Sequence, residues 1–242
     1  VANVELEKPA EVVIGHVGGR VKAGEYGVRM SRRKREERPA ELMAAIDPVL
    51  DEIRQRVGDD AESVAYLETH RLRYRTLLGH VASNITELGR ARILDIGPSY
   101  ESELIRRLWP QAIVDSLGFL DGRLMPPRAG EVHTEFDLVQ AADQASWPER
   151  QPYDLIVFAE VIEHLYISPG LVMQMLASLL GLGGTIIIQT PNAVALSRRF
   201  WLLMGRNPFE SIRDDLHQAG HYREYTASEL RDLCQRAGFR VK

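Results

Sequence analysis

Glu160, Glu163 and His164, in the run Glu-Val-Ile-Glu-His, stand at i, i+3 and i+4. On a helix that spacing places all three on one face. Two carboxylates and an imidazole suit two chemistries: holding a divalent metal, or taking a proton from an acceptor. A fourth group comes from the downstream run Gly220-His221-Tyr-Arg-Glu-Tyr-Thr226, with His217 as a substitute for His221. The candidate metal ligands are therefore Glu160, Glu163, His164 and His221, and the candidate catalytic groups are His164, Glu160 and His221. Capping and packing is the third reading of the same residues. The other histidines, His16, His70, His80 and His133, have no partners at ligand spacing.

A second group lies upstream, where Arg92-Ile-Leu-Asp-Ile-Gly97 ends an apolar run in an acid and a glycine. Gly97 lets the backbone turn sharply and come close to a ligand. The helical pattern after it, with Ser102, offers free N–H groups. Asp95 either orients this loop or meets a cationic ligand group. Asp115 follows 20 residues later and is placed to accept from ribose hydroxyls, with Asp137 placed to accept from an adenine amino group. A hydride-transfer enzyme would want G-x-G-x-x-G at a pyrophosphate. Here Ser99 and Ser102 hold the later glycine positions, and Glu101 would repel the phosphates. A cofactor without phosphate, such as S-adenosylmethionine, loses nothing from that acid.

These residues need a scaffold, and the pattern from Ala91 onward supplies one. Strand-like segments at 92–96, 112–115, 131–137, 155–159 and 185–189 alternate with helical ones at 102–108, 171–180 and 227–237. Such alternation predicts an α/β, Rossmann-like, doubly wound and mostly parallel sheet with ligands beyond the carboxyl ends of its strands. Upstream, apolar residues at helical spacing predict one helix over 40–57, kinked or broken at Pro48, and another from an Asp59-Asp60 cap to Ala82. The charged run Ser31–Pro39 reads as a solvated linker or helix start, and residues 1–30 as a loose or short-stranded extension. The expected organisation is an extension over 1–39, helices over 40–90 and a cofactor-binding domain over 91–242, with a lid-like insertion at 194–220. The chain begins with Val1 and ends where Gly238-Phe-Arg-Val-Lys242 reads as the start of a strand, so a fragment of a longer frame, lacking its last strands, or an unusual start codon is expected.

Composition narrows the classes. Forty-five per cent hydrophobic residues suffice for a core, and a net charge of −4 disfavours broad binding to nucleic acid. The lone Cys234 cannot close an internal disulfide and reads as a buried structural thiol. No apolar run approaches the roughly 18 residues of a membrane span, and no signal peptide is evident, so a cytoplasmic location is expected.

From about Tyr66 to Val241 the chain resembles the class I S-adenosylmethionine-dependent methyltransferases. It is most similar to the branch with E-V-I-E-H after the fourth strand, which includes ubiquinone-pathway O-methyltransferases. Leu94-Asp-Ile-Gly-Pro-Ser99 matches that family's first motif, L-D-x-G-x-G, with Ser99 replacing the second glycine. The resemblance implies that Asp95, Ile96, Gly97 and Pro98 line the methionine part of the cofactor. It further implies Asp115 at the ribose, Asp137 at the adenine edge, Ala159 beneath the sulfonium and Arg73 at the cofactor carboxylate. The segment around His221 would lie over the active site. A divalent metal such as Mg²⁺ is implied by ubiquinone-pathway enzymes, and by small-RNA 2′-O-methyltransferases whose similar E-x-x-E-H and downstream His bind one.

Between the fifth strand and the last helix, Leu196, Phe200, Trp201, Leu202, Leu203, Met204 and Phe209 are interleaved with Arg198, Arg199 and Arg206. These residues pack on the core, close as a lid, or form an amphipathic patch for transient contact with a membrane surface or lipid-linked acceptor. The expected activity is O-methylation of a sugar, glycolipid or secondary-metabolite hydroxyl. The alternatives are a metal-assisted RNA ribose 2′-O-methyltransferase and a catalytically silent cofactor-fold module.

Overall fold

The computed structural model describes residues 10–17, 32–58, 60–84, 91–119, 126–214 and 220–242, with the side chains of 16–17 and 32–43 left aside. Most of the 1–39 extension, Asp59, His217 and the side chain of His16 lie outside the described residues.

Among the described residues, seven parallel strands form one sheet in the order β4-β3-β2-β5-β6-β1-β7. They are β1 (Glu11–Val17), β2 (Arg92–Ile96), β3 (Ile113–Leu117), β4 (His133–Thr134), β5 (Tyr153–Ala159), β6 (Leu180–Pro191) and β7 (Arg240–Val241). The helices are α1 (Arg32–Val57), α2 (Ala61–Asn84), α3 (Tyr100–Leu108), α4 (Pro169–Leu179), α5 (Leu196–Leu203) and α6 (Ala227–Arg236). Side chains alternate along each strand between two cores. Val13, Ile93, Leu155, Val157 and Ile187 face α1, α2 and α3, while Val12, Leu94, Ile156, Phe158, Ile186 and Ile188 face α4 and α6. Fully burying one such side chain is worth about 1.5–3 kcal/mol. This is the Rossmann-like fold that the alternating pattern predicts.

The structure settles one alternative of the sequence reading, the short-stranded one at 11–17, and changes two other details. Residues 11–17 form a strand between β6 and β7, with Glu11 opposite both Thr185 and Arg240. Helix α1 runs unbroken through Pro48. The roughly 3 kcal/mol cost of an interior proline is opposed by Ile46, Leu50 and Ile53, buried against α2 and α3, and by Asp47, which accepts from Arg71 and Arg75. Finally, β4 keeps only two residues of the expected 131–137 segment. The chain leaves the sheet after Thr134, and Asp137 caps a 3₁₀ turn over Leu138–Ala142.

Candidate active site

The chemically rich residues gather beyond the carboxyl ends of β2, β3, β5 and β6. Gly97 ends β2 with φ 66°, and a Cβ there would lie 2.7 Å from Val161 Cγ2. Gly118, after β3, packs against it: a Cβ on Gly118 would meet Gly97 N at 3.2 Å. The two turns therefore form one floor that only glycines can make. Ser99 has φ −143°, outside the left-handed region that favours glycine, so no positive φ calls for the family's second glycine here.

The expected cofactor residues divide in the structure. Ile96, Gly97, Pro98 and Ala159 stand at the strand ends. Asp95 is fully buried and accepts from Ser102 Oγ, tying β2 to the first turn of α3. Burial, then the nearby Glu101, raises the Asp95 pKa well above the ordinary carboxylate value. Asp95 thus orients the loop. Asp115 needs a correction. β3 runs two residues further than predicted, so Asp115 is interior to the strand and the sheet end falls at Leu117. Its carboxylate accepts from Arg92 (2.6 Å), the Tyr153 hydroxyl (3.0 Å) and Val132 N (2.8 Å). A carboxylate so occupied is a structural lock joining β2, β3 and β5. Asp137 accepts from Val139 N at 3.0 Å through one oxygen.

Arg73 of α2 reaches the same strand ends. Its guanidinium lies 4.7 Å from the Tyr74 ring centroid and 5.5 Å from that of Tyr66, donates to Tyr66 Oη, and faces Glu160 Oε2 at 3.6 Å. Glu160 itself sits at φ 55°, a left-handed conformation that a non-glycine holds at a cost of about 1–3 kcal/mol. Gln189, at the end of β6, donates to Arg73 O. Glu160 Oε1, Gln189 Oε1 and Ser99 Oγ are buried and have no hydrogen-bond partner among the described residues. Buried acceptors of this kind suit a ligand carrying donors and positive charge.

The expected one-face arrangement of Glu160, Glu163 and His164 is not formed. Residues Ile162–His164 make a single 3₁₀ turn, and the left-handed Glu160 turns its carboxylate to Arg73 instead. The structure gathers Glu163, His164 and His221, with ligand atoms within 4.8 Å of one another. Backbone bonds hold the second histidine there: Tyr222 N and Arg223 N both donate to Glu163 O, and Ala193 N donates to Tyr225 O. A capping box between Thr226 and Glu229 then starts α6.

Hydrogen bonding fixes both imidazoles in the same sense. His164 Nδ1 lies 2.8 Å from Gly220 O, and His221 Nδ1 lies 3.0 Å from a Glu224 oxygen. Carbonyl and carboxylate only accept, so each Nδ1 carries the proton and each Nε2 presents a lone pair. Burial, then His164, lowers the His221 pKa, favouring the neutral ring. Glu163 is fully buried; Oε2 accepts from Thr190 Oγ1 at 2.9 Å, and Oε1 has no hydrogen-bond partner among the described residues. Burial raises the pKa of this carboxyl above the ordinary value.

Sequence reasoning missed Glu224, which Arg198 of α5 holds from its other side. It also missed an exposed pair of rings at the rim, Tyr166 and Tyr222, with centroids 5.6 Å apart. Both flank the histidines in sequence, and only the fold makes them neighbours.

A family model described as a methyltransferase domain matches residues 36–242. Solved structures with a similar chain path include a SAM-dependent methyltransferase from Archaeoglobus fulgidus, at 16% identity and TM-score 0.49, covering 71% of this chain and 69% of that one. Human N-acetylserotonin methyltransferase in complex with SAM is 16% identical with TM-score 0.47, covering 83% of this chain and 54% of its own. An N-methyltransferase from Bradyrhizobium japonicum is 18% identical with TM-score 0.39, covering 55% and 72%.

Proposed function

Because the chain belongs to the family of S-adenosylmethionine-dependent methyltransferases, we propose that it methylates a hydroxyl oxygen on a sugar, glycolipid or secondary metabolite. The observation that carries this reading is the pair of imidazole Nε2 lone pairs, from His164 and His221, beside the buried Glu163. An alcohol is a poor nucleophile at neutral pH, so its methylation requires a base or a metal, whereas an unprotonated amine is nucleophilic as it stands. The exposed Tyr166 and Tyr222 rings add apolar faces with polar tips, a surface suited to stacking on a sugar ring.

Bound S-adenosylmethionine supplies the electrophilic methyl group. The glycine floor at Gly97 and Gly118 admits close backbone approach, and the unpartnered Glu160 Oε1, Gln189 Oε1 and Ser99 Oγ fit a cofactor rich in donors and cationic groups. His164, exposed and held at Nδ1 by Gly220 O, takes the acceptor proton through Nε2, while Gly220 O stabilises the ring as it becomes charged. His221 is held by Glu224 in the same manner and orients the acceptor oxygen. Glu163, His164 and His221 also fit a divalent cation, through two neutral imidazoles and a buried carboxylate with an open oxygen. Such a cation would acidify the hydroxyl. Aligning acceptor and methyl is the larger contribution of the protein.

The test is transfer of labelled methyl from S-adenosylmethionine to glycan, lipid and phenolic acceptors, with and without chelator. We expect an oxygen-linked product and a fall of roughly 10²–10⁴-fold in rate for His164→Ala, with cofactor affinity retained. Transfer to amines alone, or unchanged rate in His164→Ala, would overturn this reading.

A further inference from the structure

Helix α5 is amphipathic in the wrong direction for a surface helix. Leu196, Phe200 and Leu203, at i, i+4 and i+7, form one face, and Met204 continues it. Such a face normally turns inward. Here Leu196 is 83% exposed, Leu203 85%, Met204 62% and Phe200 56%, and no residue of the helix is buried. The opposite side is the anchored one: Arg198 pairs with Glu224, and its guanidinium lies 5.5 Å from the Phe209 ring centroid. Basic groups flank the apolar face. Arg199 and Arg206 are exposed, Arg206 lies over the Trp201 ring at 5.2 Å, and residues 195–206 contain three arginines and no acid in a chain of net charge −4.

We propose that α5 is an interfacial element that docks this protein on an anionic lipid surface. Large apolar side chains outward with arginines beside them match the requirements of the headgroup–acyl boundary: burial for the former, phosphates for the latter. A second copy fits the patch less well, because a two-fold contact would bring two arginine-bearing faces together with no acid in residues 195–206 to pair them. The turn preceding α5 is bridged to Tyr225 through Asn192 and Ala193, which ties the helix to the segment that carries His221.

The test uses the full chain and two vesicle populations, phosphatidylcholine alone and phosphatidylcholine with about 30% phosphatidylglycerol. Co-sedimentation is expected to be at least about tenfold tighter on the anionic vesicles and to weaken as salt rises from about 0.1 to 0.5 M. The double variant Leu196→Glu/Leu203→Glu loses about tenfold or more, and Arg199→Glu/Arg206→Glu loses the anionic preference. All four side chains are exposed, so far-UV circular dichroism should match the parent. Tryptophan emission should shift to the blue on binding, except in Trp201→Phe. Failure of the folded parent to partition onto either vesicle would overturn the proposal, as would equal binding by the Leu196→Glu/Leu203→Glu variant. A dimer that this variant dissolves, without vesicle binding by the parent, would assign the patch to a second copy. Vesicle binding is read without methyl transfer, so the outcome is separate from that of the catalytic assay.

Discussion

Gly97 and Val161 are in contact across the floor of the site: a single added carbon on Gly97 would stand 2.7 Å from Val161 Cγ2. Val161 follows Glu160, whose left-handed backbone begins the turn that presents Glu163 and His164. The cofactor loop and the catalytic turn are therefore one packed unit.

Gly97→Ala should be destabilising and should impair the site at both ends. The added carbon meets both a φ of 66° and the valine methyl, for a combined cost of about 2–4 kcal/mol. We expect a lower midpoint in urea and loss of calorimetric heat with S-adenosylhomocysteine. Adding Val161→Ala removes the clash but not the strain, so the double variant should recover part of the stability.

The Asp115 lock predicts a different pattern. Replacing Asp115 by Ala strips a buried carboxylate from Arg92, Tyr153 and Val132, and should cost about 3–5 kcal/mol. Tyr153→Phe removes one bond and should cost about 1–2 kcal/mol. Denaturant melts measure both. If Tyr153→Phe keeps full affinity for S-adenosylhomocysteine while losing stability, the carboxylate serves the sheet; an affinity loss of tenfold or more in both variants would return Asp115 to the ribose.

His70 on α2 gives a pH signature. Burial, then the Arg73 charge, lowers its pKa to about 4 from the ordinary 6.5, and its ring sits 4.4 Å from that of Tyr66. The folded state thus binds this proton less readily than the unfolded chain. The contribution is present above pH 6.5 and is lost as pH falls toward 4. The drop in thermal midpoint between pH 7 and about pH 4.5 should be shallower in His70→Gln than in the parent.

Much of this molecule is legible in the sequence, and the failures have physical causes. β2, β5 and β6 are apolar on both faces because helices cover both, so they read as continuous runs. Gly97 was recognisable because a strand, an acid and a glycine occur in order. The Glu160–His164 run was found as a chemical group, but helical spacing misplaced Glu160: one left-handed residue, invisible in composition, sends its carboxylate to Arg73. The pattern ends β3 at Asp115 and the strand ends at Leu117, a difference of two residues that lies within the error of any boundary drawn from pattern. Glu224 and the Tyr166–Tyr222 pair required the 220–226 segment to fold back onto Glu163 O, a long-range backbone contact with no local signal.

The strand at 11–17 meets the short-stranded alternative, but its partners are not legible in the sequence, and it allows the plainest test. Its seven residues lie among glycines and charges, so nothing nearby in sequence names its partners. In the sheet it hydrogen-bonds β6 along seven register pairs and carries β7 on its other edge, with Val12 in one core and Val13 in the other. If β1 is integral to the sheet, Val12→Ala and Val13→Ala should each cost about 1–3 kcal/mol, as for any core truncation. Val13→Asp should cost more, because it buries a charge against Ile187 with no partner. Removing residues 1–17 would expose the long edge of β6, and the product should aggregate or lose cooperative unfolding. Wild-type midpoints for Val12→Ala and Val13→Ala, with a cooperative melt of the truncated chain, would show that the sheet is complete without this strand.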